Sequence, residues 1–234
     1  MQSKRRKISA VIFDIDGTLV DSFSAYYSIF NRGISRYNLG PASRKFLANC
    51  LKESLSLGEM LRRIFSTNGG EPLIERCKRE ILELFLKVEV DEVKPYPGIN
   101  ELLENLKDRG IKIGIATGRM SLPEDEWSRF KRFGLDRFID AIVTSREVEG
   151  RKPAPDTIIE CAKRLNVLIE ECLVVGDTGS DIVAARRAGA IPVAVSRGQD
   201  NKDLLEKEKP ESIFKNLNEL ITYLEEQEIN GRDL

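Results

Sequence analysis

Short apolar runs rich in β-branched residues recur along the chain, and sequence with helical periodicity separates them. Runs of this kind are typical of strands that are buried on both faces of a sheet. The predicted strands cover residues 8–13, 111–116, 139–143, 172–175 and 191–195. Because strands that alternate with helices form parallel sheets, the sequence predicts an α/β fold whose core is a Rossmann-like, doubly wound parallel sheet.

One long interval breaks this alternation. From about residue 21 to residue 94 there is no strand-like run, and helical periodicity is interrupted only by turn sequences rich in Asn, Gly and Pro. The prolines of the segment 94–98 would stiffen the return of the chain to the sheet. We therefore expect a core built from residues 1–20 and 95–234, with an all-helical cap inserted at residues 21–94.

Composition excludes several classes of function. Acidic and basic residues nearly cancel, at 38 and 37, which argues against a nucleic-acid partner. No apolar run reaches the roughly 20 residues that span a bilayer, so we expect a cytoplasmic protein without a membrane partner.

Histidine is absent, which removes His-based triads and His-ligated zinc and leaves carboxylates, Lys, Ser or Thr for catalysis. The four cysteines are widely spaced and form no CxxC pair, so we expect buried, reduced thiols.

Two carboxylates directly follow the first predicted strand, in the sequence Asp-Ile-Asp-Gly-Thr that begins at Asp14 and includes Asp16. Charges at the end of a buried strand are costly unless a cation or a substrate uses them. An Asp-Gly turn whose side chains only cap backbone groups is the alternative interpretation. The position at a strand end favours a functional site.

A second acidic motif, Gly-Asp-Thr-Gly-Ser-Asp, contains Asp177 and Asp181 and again lies between an apolar strand and a helix. Asp181 alone could be a stabilising carboxylate at the start of a helix. Together with Asp14, however, Asp177 would supply the oxygen ligands that Mg²⁺ takes alongside water and phosphate. The two motifs predict an acidic metal pocket at the carboxyl edge of the sheet.

Two further strand ends offer hydrogen-bond donors for a phosphate. Thr117 ends one predicted strand, in the sequence Thr-Gly-Arg, and Lys152 precedes Pro153 after another. Each is an ordinary residue for a turn or a solvated surface when it is taken alone. What makes Thr117 and Lys152 informative is the order in which they and the two acidic motifs occur along the chain.

That order, DxDGT, a strand ending in Thr, Lys-Pro and then GDxxxD, resembles the haloacid dehalogenase superfamily over nearly the entire chain. The resemblance implies a nucleophile at Asp14 and a general acid and base at Asp16. It implies that Thr117 and Lys152 bind the phosphoryl group. It also implies a Mg²⁺ site, with the metal ligands Asp14, Asp16, Asp177 and Asp181. One residue departs from the expected pattern: Arg119 could be an additional phosphate ligand or a surface residue, and we expect it at the surface.

The cap position narrows the resemblance to the helical-capped branch that includes phosphoglycolate phosphatases and β-phosphoglucomutases. It implies Mg²⁺-dependent hydrolysis of a small phosphorylated metabolite through an aspartyl-phosphate, with phosphoglycolate as the first candidate. A β-phosphoglucomutase-like phosphomutase would use the same residues, and a catalytically silent binding module is a further alternative. The sequence predicts neither the oligomeric state nor which cap residues contact the substrate.

Overall fold

The computed structural model describes residues 6–52, 55–65, 70–196 and 199–229. The chain divides into two compact units, one formed by Met1–Val20 with Pro95–Leu234 and the other by Asp21–Lys94. Within the described ranges, every helix is too short or too polar to cross a membrane.

The first unit is built on a sheet of six described strands in the order β5-β4-β1-β6-β7-β8. All neighbouring strands pair in parallel. The strands of the chain are β1 (Ala10–Phe13), β2 (Val20–Asp21), β3 (Lys94–Pro95), β4 (Lys112–Thr117), β5 (Ala141–Thr144), β6 (Cys172–Gly176), β7 (Ile191–Val195) and β8 (Ser212–Phe214). The predicted doubly wound α/β fold is confirmed. The short strands β2 and β3 pair separately, where the chain leaves the first unit and returns to it.

In the first unit, helices alternate with the strands of the six-stranded sheet and pack against it. In chain order the described helices are α1 (Ser22–Ser35), α2 (Arg44–Lys52), α3 (Leu57–Phe65), α4 (Glu71–Glu92), α5 (Ile99–Asp108), α6 (Pro123–Arg132), α7 (Asp156–Leu165), α8 (Gly179–Ala188), α9 (Gln199–Lys207) and α10 (Glu219–Ile229). Ala10 and Ile12 of β1 share a buried cluster with Ile158 of α7 and Ala184 of α8. Since alternate residues of a strand point to opposite faces, Val11 and Phe13, also fully buried, face the other side.

The strand register determines which residues meet at the carboxyl edge of the sheet. Phe13 of β1 is paired with Ile115 of β4 on one side and with Val175 of β6 on the other. Asp14, the first residue beyond β1, therefore lies between Ala116 of β4 and Gly176 of β6 at this edge. Ligand sites of open parallel sheets form at this edge.

The described part of the second unit is helical and has a hydrophobic core of its own, to which Ile29, Met60 and Ile81 belong. Several aromatic and basic side chains of this unit interact within it. The Tyr26 hydroxyl lies 3.2 Å from Sδ of Met60, and the Arg44 guanidinium lies over the rings of Phe23 and Tyr27. Arg62 pairs with Glu71, while Lys45 and Arg63 are exposed.

The structure differs from the sequence prediction at several strands and at one helix. Strand β5 begins at Ala141, because a short 3₁₀ turn over Asp136–Phe138 ends at Ile139 and delays the strand. Strand β8 and helix α9 were not predicted. Only three residues form β8, and α9 is strongly polar, so neither gives a clear hydrophobic period.

Candidate active site

Asp14 lies directly beyond β1, at the centre of the sheet. Its backbone N–H donates to the carbonyl of Val175 at 2.9 Å, which continues the pairing with β6 by one residue. The residue is only 8% exposed. A carboxylate in this position needs compensating charge or donors.

Lys152 supplies that charge. Its Nζ lies 2.8 Å from Oδ1 of Asp14, 2.7 Å from Oδ1 of Asp181 and 2.7 Å from the carbonyl oxygen of Ala116. These three acceptors match the three N–H donors of an ammonium group. Burial alone would lower the pKa of Lys152, but the two carboxylates outweigh that effect and raise it. Lys152 is therefore a fixed cation between two buried acids.

Asp181 has two roles at the start of α8. Its Oδ2 accepts hydrogen bonds from the backbone N–H of Thr178 at 3.1 Å and from the Thr178 hydroxyl, while Oδ1 contacts Lys152. The Thr178 hydroxyl in turn accepts from the Asp181 N–H at 3.3 Å, which completes a capping box. Glycine is required at position 176, because a Cβ there would overlap the Asp181 carboxyl group. Asp181 therefore caps the start of α8 and also contacts Lys152, while its role as a metal ligand stays a prediction.

A cluster of carboxylates fits a divalent cation. Asp14, Asp177 and Asp181 each offer one oxygen, and these oxygens lie within 4.8 Å of one another. Burial raises the pKa of Asp14 to about 7, with Asp181 and Asp16 adding to the rise and Lys152 opposing it. Burial, and then Asp181 and Asp14, also raise the pKa of Asp177. These rises reflect repulsion among the buried carboxylates. A hard cation held by their oxygens would offset that repulsion, so this set of ligands suits Mg²⁺.

The side chain of Asp16 lies outside this cluster and is held by Arg119. Nε and Nη2 of Arg119 donate to Oδ2 and Oδ1 of Asp16 at 2.7 and 2.6 Å. The Arg119 side chain is only 13% exposed, so the expectation of a surface residue was wrong. The physical reason is that the guanidinium has a carboxylate on each side, Asp16, which is 103 positions away in sequence, and the completely buried Glu126.

Thr117 is 1% exposed at the last position of β4. Its hydroxyl accepts from the backbone N–H of Arg119 at 3.2 Å, and its carbonyl accepts from the hydroxyl of Ser145 at 3.2 Å. The strand register places it at the same sheet edge as Asp14.

Sequence reasoning missed Glu126 and Arg129 of α6. Glu126 is completely buried, and both of its carboxylate oxygens lie near Nη1 of Arg129, at 3.1 and 2.9 Å. Nη1 of Arg119 lies 3.7 Å from Oε1 of Glu126. Both residues lie in the strongly charged sequence Glu-Asp-Glu-Trp-Ser-Arg, residues 124–129. Burial is predicted from the spacing of apolar residues, and that spacing does not indicate that a charged pair in this helix is buried.

Comparison with known proteins identifies the family. Residues 11–195 match the family described as haloacid dehalogenase-like hydrolase. The chain belongs to this family. The match includes every motif residue on which the resemblance was based, from Asp14 to Asp181, and the resemblance inferred from their order is confirmed.

Relatives in the family align over nearly their whole length. A phosphorylated carbohydrates phosphatase from Thermotoga maritima is 31% identical, with 92% of this chain and 100% of that protein covered. A pyrophosphatase, PpaX, from Bacillus mycoides is 30% identical, with 96% and 100% covered. Among solved structures, β-phosphoglucomutase from Clostridium difficile has a TM-score of 0.68 at 25% identity, with 94% and 96% covered. Hydrolases and a mutase of the family therefore share this architecture.

Proposed function

We propose that the protein is a Mg²⁺-dependent phosphatase that hydrolyses a small phosphomonoester through an aspartyl-phosphate on Asp14. The observation that carries the proposal is the position of Lys152, which contacts both Asp14 and Asp181 in a buried acidic pocket. A fixed cation beside a nucleophilic carboxylate is suited to a phosphoryl group, whose transfer depends on positioning and on charge compensation. The family and the phosphatase names of two relatives support a phosphatase.

The chemistry follows from the groups at the sheet edge. A carboxylate oxygen of Asp14 attacks phosphorus, the ester P–O bond breaks, and Asp16 gives a proton to the departing oxygen. A water molecule then attacks phosphorus of the aspartyl-phosphate and gives one proton to Asp16, while the bond between phosphorus and the Asp14 oxygen breaks. Phosphate leaves, and Asp14 is regenerated. Lys152 and Thr117 bind phosphoryl oxygens during both displacements.

The carboxylates of Asp14, Asp177 and Asp181 would hold the Mg²⁺ ion, and its charge would balance the phosphoryl oxygens during transfer. The side chain of Asp16, which sequence resemblance placed among the metal ligands, pairs with Arg119 instead of joining this cluster. We therefore assign the Asp16 carboxylate to proton transfer.

The substrate is assigned only by class. The relatives act by name on pyrophosphate and on phosphorylated carbohydrates, so both belong in a substrate panel with phosphoglycolate, the first candidate from sequence. The helical unit of residues 21–94 is proposed to act as a cap that selects the leaving group. Phosphotransfer to a second sugar hydroxyl, instead of water, would define a phosphomutase.

The test is phosphate release from this panel, with Mg²⁺ and with a chelator, by the wild type and Asp14→Asn. The proposal predicts Mg²⁺-dependent release that is lost in the variant. Release by Asp14→Asn at the wild-type rate would reject Asp14 as the nucleophile. Isomerisation of a sugar phosphate without net release would indicate a mutase, and no reaction of either kind would indicate a silent binding module.

A further inference from the structure

A line of alternating charges runs from the site into the interior of the first unit. Asp16 is followed by Arg119, then by Glu126, and finally by Arg129. The exposed fraction of the side chain falls from 40% at Asp16 to 13% at Arg119 and 0% at Glu126, and it is 9% at Arg129. Buried charges are tolerated when each has a partner of opposite sign, and this set contains two of each sign.

From this arrangement we infer that Arg119 is a positioning residue that orients Asp16 for proton transfer, and that Glu126 positions Arg119. The inference deepens the proposed function and rests on it for the role of Asp16. Two parallel N–H···O bonds fix the plane of a carboxylate, which a single bond would leave free to rotate. Because Asp16 stays 40% exposed, its anchored carboxylate remains accessible from the solvent side.

The same contacts argue against Arg119 as a direct phosphate ligand. Nε and Nη2 are engaged with Asp16, while Nη1 faces Glu126 at 3.7 Å. All three nitrogens of the guanidinium are therefore directed at carboxylates of the protein. Binding a phosphoryl group would require Arg119 to leave Asp16.

Glu126 is suited to hold Arg119 in place. It lies in the first turn of α6 and also receives hydrogen bonds from the Ser121 hydroxyl and from Arg129. The loop that carries Arg119 is fixed as well, since the Ser145 N–H donates to the Arg119 carbonyl at 3.0 Å. A side chain anchored at both ends can transmit a fixed orientation to Asp16.

The experiment measures kcat/KM for an alkyl phosphate and for p-nitrophenyl phosphate. For this covalent mechanism kcat/KM reports the steps up to transfer to Asp14, where only the alkoxide leaving group needs a proton from Asp16. Arg119→Gln should lower kcat/KM for the alkyl phosphate by about 100-fold and that for p-nitrophenyl phosphate by less than about fivefold. Arg119→Lys keeps the positive charge but not the two parallel N–H donors. Its kcat/KM for the alkyl phosphate should lie between those of wild type and Arg119→Gln.

A double-mutant cycle that combines Arg119→Gln with Asp16→Asn measures the coupling between the two residues. If Arg119 acts through Asp16, adding Arg119→Gln to Asp16→Asn causes no further loss for the alkyl phosphate. Equal losses for both substrates, multiplicative losses in the double variant, or no loss would each overturn the inference. Arg109→Gln is the matched control, because it removes an arginine that pairs with Glu225 at 2.8 Å elsewhere in the unit, and its kinetics should equal those of the wild type.

Failure of the proposed function is recognised separately. In that case the wild type releases no phosphate, or Asp14→Asn remains active. Crystal structures of wild type and Arg119→Gln then decide the inference without any kinetics. A wild-type structure without the forked pair, or an Asp16 side chain whose orientation is unchanged and equally ordered in Arg119→Gln, would overturn it.

Discussion

A side chain at Gly17 would occupy the space of the Asp177 carboxylate. A Cβ added to Gly17 overlaps Oδ2 and Cγ of Asp177, and Gly17 also has a positive φ of 76°. The acidic motifs around Asp14 and Asp177 are far apart in sequence, and they come close together because position 17 has no side chain. The absence of a side chain is part of how the carboxylate cluster forms.

Gly17→Ala should accordingly displace Asp177 and weaken Mg²⁺ binding. We expect a loss of stability of about 1–3 kcal/mol from the strained backbone and the overlap together. Titration with Mg²⁺ and urea unfolding measure the two effects. Gly134→Ala is the matched control, since Gly134 has a φ of 69° but a Cβ there meets no atom within 4 Å. The control should lose stability without losing Mg²⁺ affinity; equal Mg²⁺ affinity in the two variants would contradict the argument.

Lys152→Met tests the fixed cation. Removing the ammonium leaves Asp14 and Asp181 buried without it, so unfolding in chelator near neutral pH should require about 3–5 kcal/mol less than for wild type. Phosphate affinity and turnover should fall as well. Lys112→Met is the control, because its Nζ bonds to the Leu165 carbonyl at the other end of β4. Wild-type phosphate affinity in Lys152→Met would remove this lysine from the site.

The pH dependence of stability follows from Asp14. Its pKa rises from 3.8 to about 7 on folding in the absence of metal. The folded state then binds a proton more tightly than the unfolded state, so stability falls as the pH rises between these values. Each pKa unit corresponds to about 1.4 kcal/mol. Asp14→Asn lacks this contribution, and its stability relative to wild type should increase between about pH 4 and 7. Urea unfolding in chelator measures this difference, and a constant value across the range would contradict the assignment.

The cysteines report separately on the two units. Cys50 and Cys77 belong to the helical unit, and Cys161 and Cys172 to the sheet unit. All four are buried thiols outside any disulfide bond, as expected from sequence, and burial raises the pKa of Cys77 and of Cys172 to about 11. Labelling should therefore require local opening. We expect Mg²⁺ to slow the labelling of Cys161 and Cys172 more than that of Cys50 and Cys77. Mass spectrometry of labelled peptides measures this, and equal slowing would argue against a metal site confined to the first unit.

The sheet was largely predictable because its central strands are apolar throughout. All four residues of β1 are fully buried, and a continuous run of that kind has few alternatives in an alternating α/β sequence. β8 was missed because Ser212–Phe214 lies at the edge of the sheet and needs no such run. The hydrophobic pattern of the sequence therefore identifies the central strands of the sheet more readily than its edge strands.

The carboxylate cluster was foreseeable from topology, whereas the charged line behind it was not. Parallel strands bring Asp14 and Asp177 to one edge whatever their distance in sequence. Arg119 and Glu126 are buried only because each finds an opposite charge in three dimensions. Charged residues in a loop and a polar helix otherwise indicate solvent exposure, so sequence alone favoured the surface.

The most direct test of the account is the mass of the Asp14 peptide after acid quenching during turnover. Wild type mixed with Mg²⁺ and its best substrate should carry one phosphoryl group on the peptide that contains Asp14, and the modification should disappear when the substrate is exhausted. Asp14→Asn should carry none. A phosphoryl group on another residue, or rapid turnover by Asp14→Asn, would contradict the central claim that Asp14 attacks phosphorus.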